Sequence, residues 1–493
     1  MMSGTITVQG ASHSGIVPIP SDFPKGINAL LTAYLNGLSS SIIGGTAGFE
    51  NIDVVNGTVQ QSSVSAAGLE QFTNVDSTGG GASGGDGNGK DKHGKFVGKD
   101  KNNGKGNDNN GQGDDGHGRG NGGDAGGGHD TTSGVYTVSS SANTVIYQAP
   151  GNATLQGNGA TNVAIFGANS NVAYSDTNGG SASAADSIFA AGGNDSISTY
   201  STTNTGSSYD IYSAGNDTIS LNNQGTDSVL ATGNARTDVF VSQGTATVTA
   251  SDNSSVWVSD SSSGTLNFIN NSTNAATVFA SASGDGTALN SVTAFGGAGG
   301  GYYVGGRAGN NSLVGGTGTV TLQGAANNDF LQANSSIGTN LLMAGAGNET
   351  LIGGTASGSN TFELGMNGSI ASGLVSTDGS GIQTFLLGSS SSSTLTGSSA
   401  AGAINIFDVV RDSATQSTGP ATYTISDFSA NSALFISDST GGAGQVSISA
   451  IGTPLGGGGA EILLGDSTKI YLTGVSASSL VATTDPNGTI RIT

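Results

Sequence analysis

The sequence predicts an all-β chain whose body is a parallel β-solenoid, with a small helix-containing N-terminal cap and a C-terminal β section. Three observations point there. Short β-prone runs recur every eight to eleven residues over most of the chain. Glycine, 86 of 493 residues, gathers with Asn, Asp and Ser between those runs. The apolar 34% is carried largely by Ala and Val, and aromatic residues make up only 6%. A chain of this length normally builds thick cores from large side chains. This composition suits a thin, repeated core in which each short strand buries one or two side chains.

Residues 1–77 hold the one segment with a helical pattern. Ser21-Asp22 can cap its start, Pro24 sits in the first turn, and Ile27, Leu30, Leu31, Tyr34 and Leu38 recur at helical spacing. Strand-like runs surround it: Thr5-Ile6-Thr7-Val8, Ile52-Asp53-Val54-Val55 and Thr58-Val59. The segment is expected to cap one end of the solenoid, since repeat proteins must cover an open core; an anchoring or assembly module is the other reading. Residues 78–133 are Gly, Asn, Asp and Lys with one large apolar pair, Phe96-Val97. Such a stretch cannot bury enough surface to offset chain entropy and is expected to be a flexible linker. Its histidines, His93, His117 and His129, are too widely spaced for a metal site without a rigid frame.

Residues 134–410 form the expected repeat body. Its β-prone runs centre near Ile219, Val229, Val239, Val248, Trp257, Asn267 and Val278, and again near Thr293, Tyr303, Leu313, Thr321, Leu331, Leu341, Leu351 and Phe362. Two such strands per coil give a coil of about 20 residues, each strand pairing with its equivalent one coil away. An antiparallel sandwich has a similar cadence but usually needs larger core residues and longer alternating strands.

The turns share a pattern of glycine, a small residue or Asn, an acid or amide, a small residue and an apolar one. Gly192-Gly193-Asn194-Asp195-Ser196-Ile197 and Ala214-Gly215-Asn216-Asp217-Thr218-Ile219 carry it. Looser copies are Gly225-Thr226-Asp227-Ser228-Val229 and Asn327-Asn328-Asp329-Phe330-Leu331. The fullest glycine frameworks run from Gly305 to Gly316 and from Gly345 to Gly354, with Asn311 and Glu349 at the acid position. These turns resemble the glycine-rich nonapeptides of the RTX (hemolysin-type) calcium-binding β-roll proteins secreted by bacteria. In that family the turn glycines allow a tight bend, carbonyls and Asp bind calcium, and the apolar residue fills the core. The resemblance implies calcium as ligand, with Asp195, Asp217, Asp227, Asp238 and Asp329 as candidate metal-binding residues. Asp195, Asp217 and Asp238 lie 22 and 21 residues apart, a spacing that lets three acids line one edge of enlarged coils. The bland reading is that Asp and Asn serve as turn formers.

In residues 411–493, Thr422-Tyr423-Thr424-Ile425-Ser426-Asp427-Phe428 resembles the acidic-aromatic strand that follows such repeats. Glu461 to Leu472 reads as a β-hairpin. The family resemblance implies an extracellular or cell-surface location reached by type I secretion, with an uncleaved C-terminal signal. Absent cysteine and the lack of a basic-then-apolar N-terminus agree with that route. No run of 18 apolar residues predicts a membrane span.

The net charge is −21, and the segment Gly79–Asp130 is nearly neutral, with seven basic residues against eight Asp. The rest of the chain is therefore strongly acidic, which disfavours nucleic acid and anionic membranes as partners. From Val135 onward there are four arginines (Arg236, Arg307, Arg411, Arg491), one lysine (Lys469) and no histidine. That removes histidine acid–base chemistry from the repeat body, and nothing singles out a catalytic carboxylate pair. A secreted, non-catalytic structural protein is expected, self-associating into a homopolymer such as a surface layer, filament or adhesin. The alternative is a solenoid that binds or modifies cell-surface polysaccharide. A flat Thr ladder from Thr247, Thr249, Thr319 and Thr321 would serve ice or carbohydrate, but these positions hold no regular register.

Overall fold

A computed structural model describes residues 2–9, 14–20, 23, 25–53, 59–61, 70–76, 135–137, 143–148, 151–157, 162–176, 185–200, 207–262, 264–280, 290–334, 338–355, 357–365, 371–388, 392–411, 420–438, 447–454, 458–486 and 488–493. The expected linker 78–133, with its histidines, lies outside them, as do the capping residues Ser21-Asp22 and Pro24.

Strands alternate between two parallel stacks. Sheet I runs from Ala47–Asp53 to Lys469–Thr473, and sheet II from Val59–Gln61 to Ser432–Asp438. Each strand pairs in parallel with the equivalent strand of the next coil. On the inner side of sheet II the paired residues run Ile197, Ile219, Val239, Val258 and Val278, at intervals of 19 to 22 residues. The expected coil of two strands is therefore present. Side chains alternate as the pleat demands: in Ser255–Asp260, Val256 and Val258 are buried while Trp257 faces out. Because one position per coil is repeated, like packs on like; Phe362, Phe385 and Phe407 stack inside the solenoid at 5.0 and 4.6 Å.

The turns explain the glycines. A Cβ on Gly193, whose φ is +100°, would lie 1.9 Å from the Ser170 carbonyl oxygen, and one on Gly225 would lie 1.4 Å from that of Ser207. Backbone stacks directly on backbone there, so only glycine fits. Where the turn instead needs a left-handed residue that can bond locally, Asn310 and Asn328 take φ of 56° and 64°.

The N-terminal unit is an antiparallel hairpin, Met2–Gln9 with Ser14–Pro20, followed by the helix Lys25–Ile43. Leu31, Leu35, Leu38 and Ile42 form its buried stripe, and Leu30 is turned to solvent. The helix stops at Gly44-Gly45, where Gly45 is left-handed and Thr46 N–H closes back on Ser41 O. The unit touches the first strand, Ala47–Asp53, and laps onto the outer face of sheet I, where it shares a buried cluster with Val145, Tyr147, Ile165 and Phe189. Phe23 meets Phe189 edge-on, and Phe189 stacks on Tyr212. It is thus a flank cover as well as a neighbour of the first coil. Glu70–Asp76 pairs directly with Asn143–Gln148, so the Gly-rich stretch between them is inserted within one continuous stack rather than placed between two domains.

The parallel stack continues past residue 411. In sheet I it ends where Gly459–Leu464 runs antiparallel to Lys469–Thr473, forming the expected hairpin, with Ile448–Gly452 antiparallel beyond it. In sheet II, Ile490–Ile492 runs antiparallel to Ser432–Asp438. No helix among the described residues is long and apolar enough to cross a membrane.

Candidate functional site

The acids of the glycine turns point into the solenoid. Asp195 and Asp217 each stand just before a paired position, Ser196 opposite Thr218. From there each carboxyl reaches back one coil. Asp195 Oδ1 accepts the Val172 N–H at 2.8 Å and Oδ2 accepts the Ser170 hydroxyl at 3.0 Å. Asp217 Oδ1 accepts the Asp195 N–H at 3.0 Å, and its Oδ2 accepts the Ser213 hydroxyl at 2.7 Å. The column ends there. Its next member is Thr237, buried and 2.8 Å from Ser213 Oγ, whereas Asp238 is one residue later and lies on the outer face, paired with Arg236 at 2.8 Å. A shift of one residue in a strand reverses the side chain. The even spacing of the three acids therefore does not bring Asp238 to Asp195 and Asp217.

A second column enters sheet I. Asp227 Oδ1 accepts the Tyr209 N–H at 3.1 Å and the Asn223 amide at 2.9 Å, while its Oδ2 is buried without a partner. Further along, Asn311, Asp329 and Glu349 hold equivalent positions on successive coils. Four N–H groups converge on Asp329: the Asn311 backbone and side chain at 2.9 and 2.7 Å, and the backbones of Ala325 and Ala326 at 2.8 and 3.1 Å. Glu349 differs. It is equally buried, yet neither carboxyl oxygen reaches a hydrogen-bond partner of normal geometry.

These environments set the protonation. Burial, then the Asp217 charge, pushes the Asp195 carboxyl up to about 7, against the pull of its two donors. Burial raises Asp217 to about 6 and Asp227 to about 7. Burial, then the Asp329 charge, raises Glu349 to about 9, with the Asp329 backbone N–H acting the other way. Later coils of sheet II avoid this conflict with neutral amides: Asn340 Nδ2 donates to Asn360 Oδ1 at 2.9 Å, and Asn360 Nδ2 to Gln383 Oε1 at 2.7 Å. An amide accepts from one neighbour and donates to the next, so a stack of them satisfies itself. The glycine-turn motifs do not mark this amide column. A polar residue standing immediately before each apolar run, coil after coil, is the signal that marks it.

Calcium takes six to eight oxygens. Among the described residues no group of three or more acidic or histidine side chains converges on one point. Among the described residues acidic side chains come together in pairs, Asp195 with Asp217 and Asp329 with Glu349 among them, and most oxygens of these four already accept N–H or O–H groups. The acidic side chains alone do not make a calcium cage, and turn carbonyls would have to complete one. What the arrangement does chemically is satisfy backbone N–H groups at the mouths of the coils. No protein-family model, curated protein or solved structure matches the chain, and the resemblance to the calcium-binding repeat proteins rests on its turn motifs.

Proposed function

We propose that the chain is a non-catalytic structural protein of the cell surface or extracellular matrix, a stiff rod that self-associates side by side into a layer or filament. The observation that carries this reading is the unbroken double stack of parallel strands. At about 4.8 Å per strand step it is roughly 70 Å long. Each coil is joined to the next by backbone pairing, and several also by the internal acid and amide columns, which is a construction suited to bearing load or spacing other parts. At the C-terminal end the parallel pairing of both sheets gives way to antiparallel strands, which breaks the register a further coil would need and favours association through the sides of the rod. The outer faces carry apolar side chains suited to that role: Ile382 and Ile404 are paired neighbours on sheet II, each 45% exposed.

Calcium enters as a second reading, supported by Asp227 Oδ2 and the Glu349 carboxyl, which lack a hydrogen-bond partner of normal geometry. A cation there would replace a proton as the partner of a buried carboxyl.

Sedimentation of the full chain over a range of concentration tests the assembly reading. Association is expected to rise with concentration and to fall at least tenfold in the Ile382→Asp, Ile404→Asp double variant, which leaves the core intact. A wild-type chain that stays monomeric at every concentration and salt would count against it.

A further inference from the structure

The outer face of sheet II carries an aromatic patch that neither the core nor the acid columns use. In one column of paired outward positions the residues are Asp238, Trp257, Thr277 and Tyr302 on four successive coils. In the adjacent column Phe240 and Phe279 stand on either side of Ser259. Aromatic and small hydroxyl residues thus alternate in both columns. Phe240 packs against the indole of Trp257 in an edge-to-face arrangement, with ring centroids 5.2 Å apart. On another side of the indole a shallow recess of about 180 Å³ is lined by Arg236, Ser255, Trp257 and Thr277, without Phe240. Arg236 has 63% of its side chain exposed and is oriented by its Nε bond to Asp238.

We propose that this patch binds a neutral polysaccharide of extended, β-linked pyranose rings, lying along the solenoid axis. Several features select that class of partner. Indole and phenol faces present flat apolar surface to the C–H face of a sugar ring, while a guanidinium–carboxylate pair and hydroxyls at the rim meet its hydroxyl groups. The recess is the size of one ring. Trp257 and Tyr302 are two strand steps apart, about 10 Å, which matches alternate rings of an extended chain rather than adjacent ones. The charge of −21 disfavours anionic polymers, nucleic acid included. The site does not depend on self-association, and it stands or falls separately from the scaffold reading.

Trp257 is the only tryptophan in the chain, so tryptophan emission reports this site directly. Full-length protein is titrated with cello-, chito-, xylo- and manno-oligosaccharides of two to six rings, and with an alginate oligomer as the anionic arm. The expected result is a saturable emission change with at least one neutral series. Affinity should rise from two rings to six, and the alginate oligomer should give no response. Arg236→Ala, an exposed change that spares the core, is expected to weaken binding at least tenfold, and Tyr302→Ala to abolish the gain from longer chains. Trp257→Phe is followed by retention on the matching insoluble polysaccharide and should be retained more than Trp257→Ala. An emission change in no neutral series at millimolar sugar would overturn the proposal. So would a change that tracks protein concentration instead of sugar, which would assign the patch to contact between copies of the chain.

Discussion

Glu349 is the residue where burial and charge conflict most openly. Its carboxyl titrates near 4.5 when exposed and near 9 inside the solenoid. Between those values the unfolded chain has released a proton that the folded chain keeps. Stability therefore falls as pH rises through that window, and the full cost is present above about 9. Asp195, Asp217 and Asp227 act in the same direction over lower windows, from near 3.8 up to about 6 or 7. The protein is expected to melt higher at about pH 5 than at about pH 8.5. Glu349→Gln keeps the shape, removes the ionisation and can donate to Asp329. It should raise the melting temperature by about 2 °C or more at the higher pH and change it little at the lower one. Parallel pH profiles for variant and wild type would show that Glu349 does not carry this penalty. The turn motifs made Asp195, Asp217, Asp227 and Asp329 legible as a set, because Gly-Asn-Asp before an apolar run is a strong local signal. They could not say that the acids face inward, nor that Asp238 faces out. That depends on pairing register, which a spacing of 21 against 22 residues does not reveal.

At the scale of the single turn, two glycines make opposite forecasts. A methyl group on Gly225 would collide with the Ser207 carbonyl, and the backbones of two coils would have to part. Gly452, in the antiparallel strand Ile448–Gly452, has nothing within 4 Å of its would-be Cβ. Gly225→Ala is expected to cost about 1–3 kcal/mol or more in chemical denaturation, an overpacking penalty. Gly452→Ala should be neutral or stabilise by a few tenths, since alanine loses less chain entropy on folding. Equal effects would mean that close coil stacking does not explain the glycine content. The strand centres from Ile219 to Phe362 were readable because alternation and turn residues repeat in phase. The helix was readable too, although its buried stripe runs through Leu35 and Ile42 rather than Leu30. The first coils were harder to see. Ala47–Asp53 and Glu70–Asp76 are polar, weakly patterned strands, and they are recognisable as solenoid only through their pairing with one another and with Asn143–Gln148.

Over the whole molecule, charge opposes association and exposed apolar side chains favour it. A net −21 keeps copies of the rod apart at low ionic strength. Divalent cations lower that repulsion, and any that also bind the folded coils add stability by mass action. Calcium should act more strongly than magnesium, which holds its waters and demands octahedral geometry. The double stack was legible in the composition, since a long chain poor in large side chains can bury itself only in thin repeated layers. Self-association was an expectation from the sequence, but the outer side chains proposed to carry it could not be named there, because they depend on which residues the pleat turns outward. Electron microscopy of the full-length protein, in chelator and in millimolar calcium with a magnesium control, tests the scaffold reading most directly. Single rods roughly 70 Å or more in length are expected in chelator, and laterally ordered sheets or filaments of those rods in calcium. Single, unassociated particles under every condition would contradict it.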